Sequence, residues 1–148
     1  MVKHQVLPTN SDLARDVVAH VIGLMHVMKD HAQQVFTEFD LTPSQADALR
    51  NLGVPRSQRE LAFCLAFDAS SVTDIVDRLE ERGLVERQVD PSDRRVRRIV
   101  LTAKGQSFQT KLWTRMLEAN PVESLGVADQ RTLRDLLAKI VDPVEFPH

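Results

Sequence analysis

Apolar residues recur at spacings of three and four along nearly the whole chain, and only the stretch from Leu84 to Thr102 breaks that rhythm. Such spacing stacks side chains on one face of a helix, whereas a short β-branched run is strand material. The chain is therefore expected to be mainly α with a small β-hairpin. Leu13, Val17, Val21, Leu24, Met28, Ala32, Val35 and Phe39 mark a long first helix, with Asn10, Ser11 and Asp12 as cap candidates and an end near Asp40. Val18, Ile22, Met25 and Phe36 widen its stripe beyond what one flank of a small domain buries, which predicts two packing partners for this helix.

Thr42 followed by Pro43 opens a short helix through Ala46, Leu49 and Leu52 that stops at Gly53 and Pro55. Ser57 with Glu60 reads as a capping box for a third helix, Gln58 to about Leu65. Asp68 or Ser70 caps a fourth, which turns Val72, Ile75, Val76 and Leu79 to the core and ends at Gly83. Two short helices this close suggest a helix-turn-helix. Leu84, Val85 and Val89, the turn-rich Asp90, Pro91, Ser92 and Asp93, and the run Val96 to Thr102 form a long-looped hairpin, completing a winged helix over about residues 42–102. Thr102 then caps a helix with Phe108, Leu112, Met116 and Leu117, and after Asn120 and Pro121 a last helix carries Val127, Leu133, Leu136, Leu137, Ile140 and Val141. At 148 residues without an internal repeat, this is one domain, with outer helices at about 11–39 and 103–141.

Those outer helices hold more apolar surface than a winged helix can cover. Two-fold association through Leu13, Val17, Val21, Leu133, Leu136, Leu137 and Ile140 would bury it, and a monomeric helical cap is the alternative. Charge points the same way as the hairpin. The total is −2, but between Arg82 and Lys104 seven bases face three acids, so a +4 segment rides on a body of −6. A polyanion meets that local field, not the total.

Other classes are disfavoured. A single cysteine, Cys64, makes no intramolecular disulfide and suits a reducing compartment. The longest apolar run, Leu61 to Phe67, falls short of the ~18 residues of a membrane span, and MVKHQVLPTN carries no signal, so a soluble cytoplasmic protein is expected. No glycine-rich phosphate loop, HExxH or GxSxG occurs, which argues against an enzyme or a bound cofactor. His20, His26 and His31 are spaced by six and five, not by the three or four that aligns metal ligands on one helix face.

Ser71 and Val72 opening a helix, then Leu79, Glu80, Glu81, Arg82, Gly83, Leu84 and Val85, then Asp93, Arg94 and Arg95 with Leu101, Thr102 and Gly105 behind them, resemble the MarR family of winged-helix transcription factors. The resemblance runs from about Asp12 to Val141. It implies a homodimer on double-stranded DNA, with two recognition helices in successive major grooves of a pseudo-palindromic operator, and regulation, most often repression, by a small-molecule effector. Matching positions make Ser70, Ser71 and Thr73 contacts of the recognition helix and Arg94 and Arg95, with Arg97 beside them, contacts of the wing. Ser57 and Gln58 would offer backbone amides to a phosphate. No motif identifies effector-pocket residues. A winged helix serving protein interaction without specific DNA binding is the alternative function.

Some positions depart from the pattern. Asp74 stands where the family more often has a basic or small polar residue; it either repels phosphates, offset by pairing with Arg78, or reads a cytosine amine. Ala66 replaces a common glycine between the third and fourth helices. Phe63 is read as core of a shifted helix, with an exposed contact for DNA sugar or a ligand as the alternative, and Cys64 as buried core in place of a redox sensor.

Overall fold

A computed structural model describes residues 10–142; the leader-free reading of the N-terminus falls, as far as residue 9, outside them. The elements run α1 (Asn10–Glu38), α2 (Pro43–Asn51), β1 (Arg56–Ser57), α3 (Gln58–Leu65), α4 (Ala69–Glu81), β2 (Val85–Val89), β3 (Arg97–Leu101), α5 (Ala103–Leu117), a 3-10 turn (Pro121–Ser124) and α6 (Val127–Leu137). The fold is mainly helical with a small antiparallel sheet, as expected. The sheet has a third strand that the hairpin reading lacked: two residues of β1 pair with β3, giving the order β1-β3-β2.

Helix starts follow their caps. Thr42 Oγ1 accepts from the Gln45 amide at 3.2 Å while Gln45 Oε1 accepts from the Thr42 amide at 2.9 Å. Ser57 and Glu60 make the same reciprocal pair around the first turn of α3. Of the two cap candidates for α4, Asp68 takes the position. Thr102 Oγ1 accepts from the Gly105 amide at 2.9 Å and donates to the Gly83 carbonyl at 2.7 Å, joining the start of α5 to the turn after α4. Gly83 has φ +69°, the left-handed backbone that favours glycine, and a Cβ on Gly105 would lie 1.8 Å from the Leu84 carbonyl oxygen. The helix–wing junction therefore depends on a close backbone approach.

The buried core gathers Leu49 and Leu52 of α2, Leu61 of α3, Val72, Val76 and Leu79 of α4, Leu84, Val85 and Ile99 at the wing base, and Leu112 and Trp113 of α5. From α1 only Val35 is buried. Arg82 fastens the end of that helix by donating to the carbonyls of Phe39 and Asp40 while its guanidinium lies 5.3 Å over the Phe108 ring. His31 donates to the Met116 carbonyl at 3.1 Å, tying α1 to α5.

Three expectations need correction. Phe63 and Cys64 are not core: Phe63 is 88% exposed and Cys64 is exposed. In an eight-residue helix, Leu61, Ala62 and Leu65 occupy the inward arc, so the next two side chains of the apolar run point outward. The last helix stops at Leu137, leaving Ile140 and Val141 beyond it. Its closing bonds tighten to three-residue loops at Lys139 and Ile140, shortly before Pro143 in the sequence, whose ring disfavours helical backbone in the residue before it.

Ala66, at φ 55° and ψ 37°, ends α3 in the left-handed region at the cost of crowding its own Cβ. Ala66→Gly should raise stability by about 0.5–1 kcal/mol, strain relief exceeding the added chain entropy. A thermal melt checks this; an unchanged or lower Tm would show that the strain is absorbed elsewhere.

Candidate nucleic-acid interface

The N-terminus of α4 is organised by one carboxylate. Asp68 Oδ1 accepts from the amides of Ser70 and Ser71 at 3.0 and 2.9 Å and from the Ser70 hydroxyl, and Oδ2 accepts from the Ser71 hydroxyl at 2.8 Å. Hydrogen bonds from the two serines, the Ser70 hydroxyl foremost, hold this carboxyl well below the usual carboxylate range, so it is anionic at neutral pH. Gln58 reaches across from α3, donating to the Ala69 carbonyl at 2.9 Å and to Thr73 Oγ1, and Thr73 donates to the Ala69 carbonyl at 3.0 Å. Ser70, Ser71, Thr73 and Gln58 thus form one connected polar surface along the first turns of α4.

Asp74 and Arg78 follow on the same helix, both exposed, along a groove shared with Thr42, Ser44 and Gln45 of α2. Their expected ion pair is not found among the described residues. The Asp74 carboxylate stands toward solvent without a neutralising partner one turn away.

The wing is the hairpin of β2 and β3 with residues 90–96 at its tip. Its ladder runs from Val85 opposite Leu101 to Val89 opposite Arg97, and the Asp90 amide donates to the Val96 carbonyl at 2.9 Å. Asp90, only 5% exposed, holds the turn by accepting from the Ser92 amide and hydroxyl at 2.7 and 2.6 Å and from Arg98 Nε. Those bonds, Ser92 first and Arg98 after it, keep its carboxyl well below the usual range.

The seven bases of the +4 segment do different work. Arg82 and Lys104 donate to backbone carbonyls, Lys104 to that of Arg82 itself. Arg87 pairs with Asp77 at 2.5 Å and with Glu80, and Arg98 with Asp90 and, at 3.3 Å, Glu60. Arg94, Arg95 and Arg97 remain, all exposed and without an ion-pair partner among the described residues. Between wing and α3 lies a cleft lined by Ser57, Gln58, Arg59, Arg87, Arg95 and Arg97. Arg59 was not among the expected contacts; its place in the first turn of α3, beside Ser57 and Gln58, was the available signal. The Ser57 amide is taken by Glu60 Oε2 at 2.6 Å, so the backbone of Ser57 is not the free phosphate donor expected.

Away from this face, Leu13, Val17, Val21, Leu136 and Ile140 are each at least 40% exposed, with Leu137 also exposed and Leu133 half-buried. No helix among the described residues is long and apolar enough to cross a membrane.

A sequence model of the MarR family matches residues 39–96, α2 through the wing tip. The chain is similar in structure to a MarR family protein from Bacillus stearothermophilus, at 26% identity and a TM-score of 0.75 over 90% of this chain and 99% of that one. A probable transcriptional regulator from Pseudomonas aeruginosa shares 30% identity over 80% of this chain and 94% of its own, with a TM-score of 0.58. Apo MarR from E. coli, at 22% identity, covers 84% of this chain and 96% of its own with a TM-score of 0.70, a likeness of fold.

Proposed function

The chain belongs to the MarR family of transcriptional regulators, and from that premise we propose that it binds double-stranded DNA as a homodimer in the cytoplasm, α4 entering the major groove and the wing reaching the adjacent minor groove. The observation that carries this reading is the wing: Arg94, Arg95 and Arg97 are exposed and carry no ion pair among the described residues, while the other bases of the segment are engaged within the fold. Unpaired arginines on a projecting hairpin suit a narrow, electronegative groove. Ser70, Ser71 and Thr73 contribute short-range contacts to base edges or phosphates, and Arg78 can meet guanine or a phosphate. Fluorescence anisotropy with a labelled duplex tests the reading. With six wing arginines per dimer, log K should fall with log salt at a slope of up to about −5. No binding at low salt would favour the protein-interaction alternative.

The second copy covers the apolar faces of α1 and α6, which no element among the described residues buries. Repression under control of a small-molecule effector belongs to the same reading: an effector lodged between the outer helices and the winged helix would shift the spacing of the two α4 helices and so their fit to half-sites one helical turn apart.

Asp74 weakens this binding. It is exposed and lacks the Arg78 pair, so it meets phosphate as a bare charge. Asp74→Asn should tighten binding to random and selected duplexes alike, by about two- to fivefold, the scale of one exposed charge. Loss of affinity confined to the selected duplex would assign Asp74 to base reading.

A further inference from the structure

Arg87 and Arg98 leave the wing at opposite strands and end on different helices. Arg98, on β3, donates through Nε to Asp90 in the wing turn and through one terminal nitrogen to Glu60 at 3.3 Å and the Pro55 carbonyl at 3.5 Å. Glu60 is also the capping-box residue of α3, so one guanidinium joins the wing tip, the loop before β1 and the start of α3. Arg87, on β2, reaches Asp77 at 2.5 Å and Glu80, both on α4, while its own backbone amide donates to Glu80 at 3.3 Å. Four carboxylates from three elements thus converge on the base and sides of a two-stranded arm whose tip is otherwise solvent. Such an arm is marginal alone.

We infer that Arg87 and Arg98 are positioning residues which hold the wing at a fixed angle to α3 and α4, so that Arg94 and Arg95 meet DNA from a preorganised arm, and that neither takes a phosphate itself. The inference rests on the DNA-binding reading above. A wing that had to become ordered on contact would spend part of its contact energy on that ordering, which preorganisation spares. The carboxylates Glu60, Asp77, Glu80 and Asp90 then aid DNA binding, although each adds negative charge near the interface.

That inversion of sign is the test. Glu60→Gln keeps the capping box, since glutamine serves there as well as glutamate, but removes the charge that holds Arg98. Asp90→Asn keeps an acceptor for Ser92. Simple electrostatics expects both to tighten DNA binding; clamping expects both to weaken it, by about three- to tenfold. Arg98→Lys keeps the charge and loses the fork, and should weaken binding similarly while leaving the slope of log K against log salt unchanged. Glu80→Gln repeats the test for Arg87. Each variant is first checked for an unchanged circular dichroism spectrum, and hydrogen exchange at the Asp90 and Val96 amides is followed without DNA, where faster exchange is expected. Tighter binding by Glu60→Gln or Asp90→Asn, full rescue by Arg98→Lys, or a slope lowered by ~0.9 per lost contact would overturn the inference. If the unaltered chain binds no duplex, the DNA reading falls, and the exchange rates alone then decide whether the wing is clamped.

Discussion

Arg94→Ala combined with Arg95→Ala should lower affinity for duplex DNA by at least two orders of magnitude and leave dimer and fold intact. Both side chains are exposed on the wing tip and bond to nothing that supports the core, so the isolated protein loses little by their removal. Each groove or phosphate contact by an arginine is worth roughly 1–3 kcal/mol, and a dimer loses four of them. The salt slope should fall by up to ~3.6 at the same time. Anisotropy titrations at several salt concentrations give both quantities; unchanged affinity with an unchanged slope would remove the wing from the interface.

Leu136→Glu with Ile140→Glu should turn a dimer into a monomer whose winged helix stays folded. The two side chains are 54% and 74% exposed in the single chain, so glutamates there cost an isolated protomer almost nothing. In a two-fold interface the same carboxylates would be buried without partners, a penalty of about 3–5 kcal/mol that weakens association a hundredfold or more. Light scattering reads the mass and circular dichroism the fold. A dimer of unaltered strength would show that α6 lies outside the interface.

Elements whose ends carry local chemistry were legible in the sequence. Thr42, Ser57 and Thr102 announce helix starts because a hydroxyl three residues before an unpaired amide has one obvious use, and Gly83 announces a left-handed turn. What escaped was information held elsewhere in space. The outward turn of Phe63 and Cys64 depends on which arc of a two-turn helix meets α2 and α4, and an unbroken apolar run does not encode it. The left-handed Ala66 uses a residue with no preference for that backbone. The division of arginines is the largest gap: Arg87 and Arg98 look like Arg94 and Arg95 in the sequence, and only folding brings Asp77, Glu80, Glu60 and Asp90 to the first pair. A count of charge finds the patch and cannot divide it.

The first helix has a consequence for abundance. Of its 29 residues only Val35 is buried, and residues 10–23 are exposed throughout, so the first half of α1 is held by little beyond its own backbone bonds, whereas helices in proteins owe most of their stability to a packed apolar face. For a dimeric chain, completing this helix and pairing two protomers become a single bimolecular event. The melting temperature should then rise with protein concentration, and the share of molecules able to span both half-sites should grow faster than the total. How many copies a cell makes would, through this largely exposed helix, act as an input to the regulator's own switch.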